Sequence, residues 1–101
     1  MLFEFVHSHT PENCPARGPD YVKAFSEWWQ SVKKAPGVKI LTGYVSPMDH
    51  TYYVTVEADD FAALTKAFGP MVGMGMGHFI PILSLDETLP IAKTGAFEAP
   101  K

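Results

Sequence analysis

The apolar run of residues 2–9, LFEFVHSH, broken by Glu4 and closed by polar residues, has the aromatic and β-branched content that predicts a strand. The next ten residues, TPENCPARGP, carry three prolines and a glycine and read as a loop. From residue 20 the pattern changes. Val22, Phe25, Trp29 and Val32 recur at spacings of three and four, which predicts a helix over 20–34 with one apolar stripe, opened at Pro19 and ended at Pro36-Gly37. VKILTGYVS (38–46) and HTYYVTVE (50–57) read as the second and third strands, joined by Pro47-Met48-Asp49 as a hairpin. Asp59 or Asp60 caps a second helix whose inward stripe is Phe61, Leu64 and Phe68, and Gly69-Pro70 stops it. MVGMGMG reads as a glycine-broken connector and HFIPILS (78–84) as a fourth strand, with Pro81 marking a bulge or an edge.

The predicted order β-α-β-β-α-β is that of an α+β, ferredoxin-like fold. Right-handed crossovers arrange its four strands as an antiparallel sheet of order 4-1-3-2, with two helices on one face. Residues 1–86 form this domain, and residues 87–101 a C-terminal tail with weak helical character at 89–92. Glu4 beneath a helix would be costly unless paired, which favours Phe3 and Phe5 facing the helices near the strand's start, while the face that carries His7 and His9 stays open. The other sheet face is left bare and apolar, and a second copy of the chain is the expected cover.

Composition narrows the function classes. The chain has 101 residues, 47% hydrophobic and 19% charged, with a net charge of −3. That is one globular domain without the basic excess of a nucleic-acid binder. One cysteine excludes an internal disulfide framework. With no signal-peptide pattern and no apolar run of about 20 residues, a cytoplasmic location and no membrane partner are expected.

Residues 1–86, and above all YYVTVEADDFAALTKAF with the proline-containing strand FIPIL, resemble the dimeric α/β-barrel superfamily in its small uncharacterised domains. The resemblance implies a homodimer in which two sheets face each other. The superfamily includes cofactor-free monooxygenases, muconolactone isomerases, and haem or iron enzymes, so the fold does not choose the chemistry.

The candidate chemistry lies in the histidines. His7 and His9 close the first strand two residues apart, on one face. His78 opens the fourth strand. With the first and third strands read as parallel, Glu57 arrives at the same end and His50 at the opposite one. Two imidazoles with His78 or Glu57 offer three ligands and an open position for iron, copper or zinc. Cys14 is a further ligand if its loop folds back, and Met76, with Met74, suits copper(I).

A small metal-binding protein or metal-dependent enzyme is therefore the first reading. The second is a cofactor-free dimer of the monooxygenase or isomerase kind, holding a small molecule in an apolar pocket that includes Trp29 and Tyr53 beside the histidines. The third is a non-catalytic adaptor or sensor with a collapsed pocket. Asp49-His50 as base and orienter, the thiol of Cys14 as nucleophile, and a metal-handling role for the methionines of the connector are weaker candidates. Each has an ordinary structural reason.

Overall fold

A computed structural model of the chain describes residues 1–100. The elements run β1 (Leu2–Ser8), α1 (Pro19–Val32), β2 (Val38–Ser46), β3 (Thr51–Ala58), α2 (Phe61–Phe68), β4 (Met76–Ile82) and α3 (Leu85–Lys93). Short 3₁₀ turns at Pro11–Asn13, Pro47–Asp49 and Gly69–Met74 link them. The sheet order is β2-β3-β1-β4, the ferredoxin-like order, and every neighbouring pair is antiparallel.

One strand direction differs from the sequence reading. β1 and β3 are antiparallel, not parallel. The reason is topological. The right-handed crossover through α1 makes β1 and β2 parallel, and the β2–β3 hairpin then reverses β3 against both. Leu2 therefore faces Glu57, and Ser8 faces Thr51. The end of β1 meets the start of β3, not its end.

Alternation sorts the strands into two faces. Phe3, Phe5 and His7 of β1 sit opposite Val56, Val54 and Tyr52 of β3, and this set faces the helices. Val32 of α1 and Leu64 and Phe68 of α2 close over it, so a single core lies between the sheet and the helix layer. Trp28 braces that layer, because its indole Nε1–H donates to the Ala67 carbonyl at 3.0 Å and ties α1 to α2. α2 starts where Asp60 Oδ1 accepts from the Ala63 N–H at 2.7 Å, satisfying one of the amides a helix start leaves free.

The opposite face carries Leu2, Val6, Tyr53, Ile80 and Ile82, with Glu4 held among them by the Thr55 hydroxyl at 3.1 Å. No described element covers Tyr53, Tyr44 and Ile80, which are 42%, 70% and 47% exposed.

β4 can begin beside β1 only because residue 75 is glycine. A Cβ on Gly75 would run into the Ser8 carbonyl oxygen and stand 3.0 Å from the His9 Cα. Pro81 lies in β4, which is an edge strand, where proline is tolerated. The segment expected as a weakly helical tail contains a third helix, α3, capped by Ser84, and none of its residues is buried. The chain extends 56 × 30 × 19 Å with a radius of gyration of 16.4 Å, above the roughly 13 Å of a compact chain this long.

Candidate functional site

β1 ends in two buried imidazoles. His7 is 1% exposed, and its Nε2–H donates to the Met71 carbonyl at 3.1 Å. That bond leaves Nδ1 as the unprotonated nitrogen, buried and without a partner. The ring stacks on Phe5 at 5.6 Å. Burial pushes the His7 pKa down, only partly opposed by the Met71 carbonyl.

His9 follows just beyond the strand and is 8% exposed. Its backbone N–H donates to the His50 carbonyl at 3.1 Å, and its ring Nε2 lies 3.3 Å from His50 Nδ1. His9 Nδ1 is buried and unpartnered. Desolvation pushes the His9 pKa down, with the neighbouring His50 and His7 adding to the effect. Both strand-end histidines are therefore neutral at neutral pH.

His50 sits where the 3₁₀ turn Pro47–Asp49 feeds β3. It is the one non-glycine residue with positive φ among those described, at φ 50, in the left-handed region. Histidine reaches that region more often than most residues, but it is sparsely populated. The turn is held by Ser46 Oγ donating to Asp49 Oδ2 at 3.3 Å and by Thr51 Oγ1 donating to the Asp49 carbonyl at 2.9 Å. The Asp49 carboxylate is thus bonded to Ser46, and the paired role for Asp49 and His50 has no contact behind it.

The loop after β1 folds back over this end. Cys14 follows the Pro11–Asn13 turn and is half-buried. One ring nitrogen from each of His9 and His50 and the Cys14 sulfur all lie within 4.8 Å of one another.

Two apolar pockets adjoin here. One, about 170 Å³, is walled by Phe25, Trp28 and Trp29 of α1, by Val45, Tyr52 and Val54 of the hairpin, and by Met71. The other, about 610 Å³, shares Phe25, Trp29, Val45 and Tyr52 and adds His9, Cys14 and His50. Gly43 makes room for α1, since a Cβ there would meet the Trp29 indole at 2.7 Å. Tyr52 stacks on Phe25 at 5.2 Å and on His9 at 5.4 Å, joining the apolar wall to the imidazoles. Burial, and after it Cys14, pushes the Tyr52 phenol pKa up, so the hydroxyl stays protonated.

The structure regroups the predicted residues. His7, His9 and Cys14 lie at one end of the sheet, and His50, placed by the sequence reading at the opposite end, joins them. Glu57 does not. It stands beside Leu2 at the other end, where it pairs with the N-terminal amine at 2.8 Å. His78 is opposite Val6, near the cluster in height but on the open sheet face. Met76 is opposite Ser8 on that same face and 71% exposed. Trp29 lines both pockets. Tyr53 points to the open face, and its neighbour Tyr52 takes the pocket position.

Sequence reasoning placed His50 at the wrong end and passed over Tyr52, though the signals were available. In TYYVTVEA the apolar Val54, Val56 and Ala58 share the parity of Tyr52. The reversal imposed by the hairpin places His50 beside the end of β1.

No protein-family model matches the chain, and no curated protein does. Among solved structures it is similar to one described as "Crystal structure of antibiotic biosynthesis monooxygenase", with TM-score 0.48 and 17% identity, covering 83% of this chain and 100% of that one. No assignment of chemistry follows from a likeness of that size. Among the described residues no helix is long and apolar enough to cross a membrane.

Proposed function

We propose that this protein binds a planar, apolar small molecule in the cavity beneath α1 and carries out proton-transfer chemistry on it with the His9–His50 pair. The reaction class is that of the cofactor-free monooxygenases or isomerases implied by the family resemblance. The observation that carries this reading is a pair of adjoining pockets that share Phe25, Trp29, Val45 and Tyr52, one walled mainly by apolar and aromatic side chains and the other bounded by the His9–His50 imidazoles. Ligand pockets combine mostly apolar walls with a few placed polar groups. A neutral imidazole accepts a proton from a bound C–H or O–H acid, and its partner steadies the imidazolium that forms. A cavity of this size is also more than the collapsed pocket expected of an adaptor.

The chain acts as a homodimer in this proposal. The open face, with Tyr53 and Ile80, and the uncovered α3 are the surfaces a second copy would bury. Cys14, a free thiol, suits the cytoplasm.

Titration calorimetry with 1-naphthol tests the pocket. Saturable binding by the wild type, lost in Val45→Phe, is expected, because Val45 lines both pockets. Equal binding by the two proteins, or no heat from either, overturns the reading.

A further inference from the structure

We propose that His9, Cys14 and His50 form a site for one thiophilic transition-metal ion of the zinc class at the mouth of the cavity. The two imidazoles and the thiolate would be its protein ligands, and the fourth position would open into the cavity. Zinc sites that keep an exchangeable position characteristically use three protein ligands, with nitrogen and sulfur donors. The trio here was not the one the sequence suggested. It draws on β1, the loop after it and the turn before β3, which only the folded chain brings together.

Four observations converge on it. First, a tetrahedral ion bound at about 2.0–2.1 Å to nitrogen and 2.3 Å to sulfur holds its ligand atoms roughly 3.3–3.6 Å apart. The imidazole nitrogens already stand 3.3 Å apart, a long hydrogen bond but the right edge for such a tetrahedron. The whole trio lies within 4.8 Å, so the remaining closure falls to the loop carrying Cys14.

Second, His9 is more than nine-tenths buried, and the Nε2 that meets His50 has only that long contact to another imidazole. Buried polar atoms are rarely left with so weak a partner. Third, His50 is held in a left-handed backbone that costs free energy, and such strain gathers at ligand sites. The His9 N–H bond to the His50 carbonyl fixes the two backbones against each other.

Fourth, the charge balance suits a cation. Arg17 of the same loop turns its guanidinium onto the Glu12 carbonyl and lies 5.9 Å from the Tyr21 ring, engaged away from the cluster. On binding, Cys14 gives its thiol proton to solvent, and the imidazoles bind as neutral donors.

The site borders the proposed ligand cavity but does not depend on a ligand being there. Where a metal is bound, His9 and His50 are ligands and no longer free bases, so the two readings make separable predictions.

The experiment is Co²⁺ titration of the full chain, purified without a His tag, followed by absorption spectroscopy and Zn²⁺ competition. The expected result is one Co²⁺ per chain, displaced by Zn²⁺, with thiolate-to-cobalt charge-transfer bands in the near ultraviolet and visible bands of tetrahedral strength. Cys14→Ser should abolish the charge-transfer bands, and His50→Asn should weaken binding by at least about tenfold. Asparagine tolerates the left-handed backbone, so His50→Asn removes the imidazole while keeping the turn. Identical cobalt spectra in wild type and Cys14→Ser, or no stoichiometric binding, overturn the metal site. Repeating the titration on Val45→Phe separates the two readings. Cobalt binding kept in Val45→Phe shows the metal site to be independent of the pocket, and cobalt binding by a wild type that gives no 1-naphthol heat leaves the metal site standing and the organic pocket refuted. The reverse pattern in the wild type refutes the metal site alone.

Discussion

His9 Nε2 and His50 Nδ1 lie 3.3 Å apart although 41 residues separate them in the chain. The contact exists because β1 ends where β3 begins, and it turns the end of the sheet into a polar rim on an apolar cavity. Two imidazoles, a protonated phenol and a thiol gather there.

Acid should destabilise the protein before any carboxylate titrates. His7 is buried as the neutral ring, with its pKa held below the ordinary 6.5. The folded state then binds fewer protons than the unfolded one. Stability is complete above pH 6.5 and is lost as pH falls from there through the depressed folded pKa. Urea midpoints at pH 8 and pH 5 measure the loss. His7→Gln, which keeps a donor for the Met71 carbonyl but does not titrate, should show a smaller drop, with the remainder due to His9. An equal drop in wild type and variant would remove His7 as the source.

Gly75→Ala should cost about 1–3 kcal/mol, the usual range for forcing extra volume into a packed place. The added methyl meets the Ser8 carbonyl oxygen, which is backbone and cannot swing aside. Gly73→Ala is the control, because nothing lies within 4 Å of its Cβ. It should stay within about 0.5 kcal/mol of wild type. Urea unfolding of both variants decides, and similar midpoints would contradict the tight approach of β4 to β1.

The third prediction concerns the open sheet face. Wild type should sediment as a dimer of the 11.1 kDa chain at micromolar concentration, and Ile80→Lys as a folded monomer. Ile80 is 47% exposed on its own chain, so the lysine costs the isolated subunit little. A stable interface buries roughly 1,600 Å² in total, and a lysine at its centre, even one facing Glu4 across the β1–β4 pair, is costly to take out of water. A monomeric wild type would dismiss the dimer.

Much of the fold was legible because its signals are local. The stripe of Phe25, Trp29 and Val32 marks α1, the proline-bounded turn marks the hairpin, and Asp60 marks the start of α2. The costly placement of Glu4 favoured Phe3 and Phe5 inward, as they are, but the face of His7 and His9 was left open by the sequence. The site was less legible because it depends on strand direction, which is not local. One reversed strand sent Glu57 to the far end and brought His50 in. The parity of a single residue exchanged Tyr53 for Tyr52. Ligand sets drawn from three separate segments magnify such errors, while core positions, backed by many neighbours, absorb them.

The two outer strands have a consequence for how copies of this chain meet. β2 slips register between Ile40 and Thr42, which leaves Leu41 as an extra residue, and β4 carries Pro81, which lacks an N–H. A bulge on one border and a missing donor on the other both frustrate the addition of a further strand. Self-association is thereby steered away from open-ended, fibre-like growth along the hydrogen-bonding direction. It is left to the flat of the sheet, where two molecules close on each other and the assembly stops.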